Sequence, residues 1–287
     1  MAEELSKKER REHARDIARE MREQEKKRRK RNRIIAQASV VLGAVAVAVV
    51  VVLVVTSLNK PAGPGPTNMA SDGILLVGDG SGQIVAVTNS GIAEGGKPVA
   101  TDQTQYDGLA NITVYVDYMC PFYNQFETAN ADQINTWVAQ GLATVEYHPI
   151  SILDNASLGS RYSTRAANAA ACVAALAPNS FVDVNTSLFV NQPAESTTGL
   201  TNEELAALVA QAGATNANVA SCIMDETYSA WVTAATERTA QAIPNSSLES
   251  IRSTPTVIVN GQQYPGAPSD AAAFTDFVSS LITTTTD

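Results

Sequence analysis

The sequence predicts an α/β domain with an inserted helical subdomain, preceded by a single transmembrane helix. Three observations carry this. The 25 residues from Ile34 to Leu58 contain no charge and include an unbroken Ala, Val, Leu and Gly stretch from Val40 to Val55. Beyond them, strand, helix and strand patterns follow one another between Asn111 and Ile150. A long helix-forming block then separates that β-α-β unit from a β-β-α segment near the C-terminus.

Charge divides the chain at the apolar run. Residues 1–33 hold 14 of the 20 Lys and Arg against 8 acids, a net of +6 that leaves -15 on the remainder. As a helix the apolar run would span roughly 37 Å, enough to cross a hydrocarbon core of about 30 Å. It is longer than the apolar stretch of a cleavable signal peptide and runs into Asn59-Lys60-Pro61, so an uncleaved anchor is expected. The basic cluster Lys26 to Arg33 retains the N-terminus in the cytoplasm and sends the C-terminal domain across. Residues 1–33 then form a charged cytoplasmic tail with Glu-to-Lys pairs at i,i+4 spacing. No aromatic interleaving or binding module accompanies that charge, so no nucleic-acid partner is expected.

Residues 59–71 read as a Pro/Gly linker, and the extracytoplasmic domain as residues 72–287. Ile74 to Gly78 and Gln83 to Thr88 flank Asp79-Gly80-Ser81-Gly82, the pattern of a β-hairpin. Gly91 to Gln105 reads as loop. Asn111 to Met119 alternates Ile112, Val114, Val116 and Tyr118 with Thr113, Tyr115 and Asp117, as a strand near the sheet centre does. Phe126, Ala129, Ile134, Trp137 and Val138 recur at helical spacing before Gly141, and Thr144 to Ile150 returns as a strand.

The helical insertion runs from about residue 155 to 242. Arg161 to Ala177 is Ala-rich, Thr201 with Glu204 forms a capping box, and Asn216 to Gln241 adds one or two more helices. Strand character resumes at Pro255 to Val259, turns at Asn260-Gly261 and continues to Tyr264. A last helix carries Phe274, Phe277, Val278 and Leu281 on one face.

The chemistry is concentrated at Asp117-Tyr118-Met119-Cys120-Pro121-Phe122-Tyr123, where a strand delivers a cysteine to the start of a helix. First-turn N–H groups and the helix dipole stabilise negative charge there, so a reachable, reactive thiolate is expected at Cys120. Pro121 suits the first helical position because its missing N–H would have no partner. The bland alternative is a cysteine packed beneath the sheet. Three cysteines in an exported chain imply one bridge and one leftover, and Cys172 and Cys222, both on helices of the insertion, are the natural pair. Two buried free thiols are the alternative, since a helix-packing site also suits a small apolar residue. His148 is the sole histidine beyond the membrane segment and reads as a solvent-bonded strand residue, so no metal site and no cofactor are expected. No phosphate loop, zinc motif or hydrolase elbow is present.

Taken together, Cys120-Pro121 between strand and helix, Thr254-Pro255 opening a later strand, and the helical block between them resemble the thioredoxin fold of the DsbA-like family. The resemblance covers roughly residues 72–284. It implies thiol:disulfide interchange, a cis bond before Pro255, and a substrate-contact surface made by Pro121, Phe122, Tyr123, Thr254 and Pro255. Some exported relatives also carry an extra bridge of the Cys172–Cys222 kind. One departure matters: Tyr123 stands where the family places its resolving cysteine, which attacks the mixed disulfide formed at the first. A phenol cannot do this, so any bond made by Cys120 must be released by an outside thiol.

The expected protein is therefore a single-pass cell-membrane protein with its C-terminal domain outside the cytoplasm. It would be a monothiol oxidoreductase acting through Cys120 on exported polypeptides that carry thiols or disulfides, with an external thiol or a membrane redox partner. The alternative is a thioredoxin-like binding or scaffold protein that has lost redox turnover.

Overall fold

In the computed structural model, which describes residues 63–283, the first two strands are the expected hairpin. β1 (Ile74–Gly78) runs antiparallel to β2 (Ile84–Ala86), the latter shorter than its apolar run. Gly78 lies so close to the Val138 carbonyl that a Cβ would collide with it. The expected charged tail (1–33), the expected transmembrane segment (34–58) and the first residues of the expected linker lie outside the described part. Among the described residues no helix is long and apolar enough to cross a membrane.

Packing starts before Asp72, where the sequence placed the domain boundary. Gly65 N donates to Ile92 O at 2.8 Å, Asn68 Nδ2 donates to Ala174 O at 2.8 Å, and Met69 is buried. Asp72 itself binds the Arg238 guanidinium through two 2.6 Å bonds and accepts from Trp231 Nε1 at 3.1 Å. The end of the linker is thus part of the domain, because its backbone finds partners there.

β3 (Ala110–Val116) is followed by α1 (Pro121–Ala139) and β4 (Ala143–Pro149). β3 and β4 are parallel, with Tyr115 opposite His148, and both strands are buried along their whole length. The sheet closes with β5 (Thr256–Val259) and β6 (Gln262–Gln263), joined through Asn260 and Gly261, both at positive φ as a tight hairpin turn requires. The strand order is β2-β1-β4-β3-β5-β6. Val114 and Val116 join Phe126, Ile134 and Val138 of α1 in the main core. Tyr115 and Ile258 face the other way, into a smaller cluster with Ile150, Ile243 and Ile251.

Between β4 and β5 lie five helices: α2 (Tyr162–Leu176), α3 (Phe181–Val190), α4 (Asn202–Gln211), α5 (Ala217–Met224) and α6 (Ser229–Arg238). The capping box at α4 is formed on both sides, Glu204 N donating to Thr201 Oγ1 and Thr201 N to Glu204 Oε2. α2 is buried at 12 of its 15 positions because its alanines let neighbouring helices approach closely. Cys172 on α2 and Cys222 on α5 are joined in a disulfide, with Cα atoms 5.9 Å apart. α7 (Ala271–Thr283) ends the described chain and packs Phe274 edge-on against Phe126 at 5.2 Å.

Candidate functional site

Cys120 is the N-cap of α1, in extended conformation (φ -79°, ψ 113°), with Pro121 at the first helical position. It is the free cysteine of the three. The Thr254–Pro255 bond is cis, and the loop it shapes brings the Thr254 carbonyl oxygen to 3.0 Å from Cys120 Sγ. Two segments 134 residues apart in sequence therefore meet at the sulfur. The thiol is the donor in that contact.

The expected reachable thiol needs correction. Cys120 is 3% exposed, because the Thr254 loop lies over it and its ring of neighbours belongs to the main core. Tyr123 needs correction as well: it is fully buried and presents no face to a substrate. Position 123 lies on the inward side of α1, where the ring packs against Phe189 (4.4 Å between centroids) and Phe126 (6.0 Å). Of the other expected contact residues, Phe122, Thr254 and Pro255 are brought together and Pro121 adjoins Cys120. Pro121 and Phe122 are exposed, the latter at 60%, and Pro255 is half-buried. Phe122, Thr254 and Pro255 line a cavity of about 260 Å³ together with Phe126 and Tyr264. Thr254 itself is buried, and its Oγ1 has no hydrogen-bond partner among the described residues.

Three polar groups hold this region, and two of them, Glu127 and Gln192, were not singled out in the sequence. The first is Glu127, one helical turn after Tyr123 and wholly buried. Its Oε2 accepts from Tyr123 Oη at 2.9 Å; its Oε1 accepts from Asn185 Nδ2 at 2.9 Å and Thr186 Oγ1 at 3.2 Å. Burial pushes the Glu127 carboxyl above its usual range, the three hydrogen bonds offsetting part of the effect. The Tyr123 hydroxyl is likewise held well above the usual tyrosine range by burial and then by the Glu127 charge. The i,i+4 pair Tyr123/Glu127 on a helix was the available signal.

The second group is Gln192, just beyond α3, whose Nε2 donates to Tyr118 O at 3.1 Å and Cys120 O at 3.0 Å. Asn124 Nδ2 donates to Gln192 Oε1 at 3.1 Å, so the helical insertion clamps the turn that carries the thiol. Nothing in the sequence marks this contact, which spans 72 residues. The third is Asp117, which opens the run that carries Cys120 and has a scaffolding geometry. Its Oδ1 accepts from Met119 N (2.9 Å) and Ser163 Oγ (2.7 Å), and its Oδ2 from Leu153 N (2.9 Å). Complete burial raises its pKa to about 6 against those bonds. His148, expected to bond to solvent, is buried instead, stacked on Tyr115 and 3.6 Å from Glu146 Oε1. Its place in the central sheet, under the segment Ser71–Gly73, removes it from water.

A family model described as thioredoxin matches residues 106–279. Among solved structures, the chain is similar to oxidised DsbA of Mycobacterium tuberculosis, at 26% identity and a TM-score of 0.55 over 73% of this chain and 92% of that one. It is also similar to reduced DsbG, a disulfide bond oxidoreductase of the same organism, at 27% identity and a TM-score of 0.54 over 78% and 94% of the two chains. BdbD of Bacillus subtilis, at 16% identity and a TM-score of 0.51 over 78% and 100%, shares the fold. No curated protein sequence matches the chain.

Proposed function

This chain belongs to the thioredoxin family, and we propose that it performs thiol–disulfide exchange through the single thiol of Cys120. In this reading it is tethered by Ile34 to Leu58, with residues 1–33 cytoplasmic and the domain outside, and it acts on exported polypeptides. The observation that carries the reading is the junction itself: a free cysteine capping α1, with Thr254 O of the cis-Pro255 loop 3.0 Å from its sulfur. The similarity to DsbA and DsbG supports the same chemistry.

The step balances as two exchanges. The Cys120 thiol gives up its proton, and the thiolate attacks one sulfur of a substrate disulfide. A Cys120–substrate S–S bond forms, the substrate S–S bond breaks, and the departing sulfur leaves as a thiolate that takes a proton. An outside thiolate then attacks the substrate sulfur of the mixed disulfide, forming a new disulfide and returning Cys120. Electrons pass from the outside thiol to the first leaving sulfur, so Cys120 ends unchanged. The incoming disulfide displaces the Thr254 carbonyl contact, and the cavity beside Phe122 and Pro255 accepts the neighbouring chain.

A second reading is favoured by the burial of Cys120 and by Tyr123 bonded to Glu127: a thioredoxin-like binding protein without turnover. Mass spectrometry of the full chain in detergent, incubated with a disulfide peptide and then with glutathione, separates the two. Exchange gives an adduct that Cys120→Ser abolishes and glutathione releases. An adduct that no glutathione concentration releases supports the binding reading. The absence of any adduct on the native chain, when the unfolded chain forms one, refutes exchange.

A further inference from the structure

On the sheet face turned away from α1, a cavity of about 460 Å³ opens between β3, β4 and the end of α6, separate from the cavity lined by Phe122 and Pro255. That volume falls in the range of small-molecule sites. Its floor is the stacked pair Tyr115 and His148, with ring centroids 4.6 Å apart. Ile150 and Ile243 give it apolar walls, and Lys97 and Arg238 stand on its lining.

The cations are what single this cavity out. Residues 63–283 contain five Lys and Arg against 20 Asp and Glu, and two of the five line this one hollow. The acid on its lining, Asp72, has both oxygens committed: Oδ1 accepts from Arg238 Nη2 and Trp231 Nε1, Oδ2 from Arg238 Nε. That bidentate clamp fixes the guanidinium plane and leaves Nη1 with no hydrogen bond among the described residues. Glu146, behind His148, has its Oε1 engaged by Ser71, Thr101 and His148. The carboxylate on the lining, Asp72, is therefore internally satisfied, while the Arg238 edge and the exposed Lys97 ammonium are available.

We propose that this cavity binds a small monocarboxylate with a flat apolar body, its carboxylate between Lys97 and Arg238 and its ring over Tyr115, His148 and Ile243. The apolar walls recognise the body, and the pinned guanidinium recognises the charge. An uncharged analogue would leave Arg238 Nη1 desolvated without an acceptor, which disfavours it.

Equilibrium dialysis of radiolabelled benzoate against the full-length chain in detergent, with empty micelles as blank and benzyl alcohol as uncharged competitor, tests this. Saturable binding is expected, poorly competed by benzyl alcohol. Lys97→Gln should weaken it about fivefold, the scale of one partly solvated ion pair. Ala242→Trp, at an exposed lining position, should weaken it by filling space without touching a charge. Benzoate that does not saturate by about 10 mM, benzyl alcohol that competes equally, or affinity unchanged in both variants would overturn the proposal.

Discussion

Replacing Tyr123 by Phe removes one oxygen from the molecule and tests the account of the buried carboxylate beneath the thiol-bearing helix. Tyr123 Oη is the donor to Glu127 Oε2, since Asn185 and Thr186 both bond to Oε1. In the variant, Oε2 of a wholly buried group has no recorded donor, which costs about 2 kcal/mol while Glu127 is ionised. The cost depends on pH in a direction that can be worked out. Burial raises the folded-state pKa of Glu127 above its unfolded value. The associated stability is fully present below the unfolded pKa and is lost as pH rises through the folded one. Deleting the phenol raises the folded value further, so the variant loses more stability at pH 8 than at pH 4. For a domain of this size about 2 kcal/mol corresponds to a Tm lower by about 4–8 °C at pH 8, with a smaller gap at pH 4. Both tryptophans, Trp137 and Trp231, lie in the domain, so fluorescence melting of the full chain in detergent reads it directly. A Tm equal to that of the parent at pH 8, or a gap of the same size at both pH values, would refute the reasoning.

Two further predictions follow from the supports of the site. Asp117 has a folded pKa raised by burial to about 6, so the stability it contributes, about 3 kcal/mol, is present near pH 4 and lost as pH rises through about 6. Asp117→Asn cannot titrate, and its Tm should fall less steeply between pH 4 and 6; an unchanged slope would count against the assignment. The double variant Cys172→Ala, Cys222→Ala opens a bridge spanning 50 residues and should lower stability by about 4 kcal/mol, read as a shift of the urea midpoint. A midpoint within error of the parent would show that the disulfide constrains little.

What the sequence made legible was local. The alternation in Asn111 to Met119, the Cys-Pro helix start, the capping box at Thr201 and the Asn-Gly turn each use residues within a few positions of one another, and each forms. α3 was missed although Phe181, Val184, Leu188 and Phe189 are buried at helical spacing, because Val182, Val184 and Val190 favour strands and no side chain caps its start. The cysteine pairing followed from counting, and the structure joins the pair it favoured.

By itself the sequence determined the local arrangement: a cysteine at a helix start, a tyrosine three residues on, and no second cysteine nearby. Only the tertiary structure decided how that cysteine sits. It folds the Thr254 carbonyl over Cys120, turns Tyr123 inward onto Glu127, and clamps the turn with Gln192 from the insertion. The reason is physical: periodicity reports which side of an element is apolar, whereas burial of a polar group depends on partners supplied by distant segments. Those pairings are selected when the layers close, because a polar group taken out of water must find its partner wherever the fold places one.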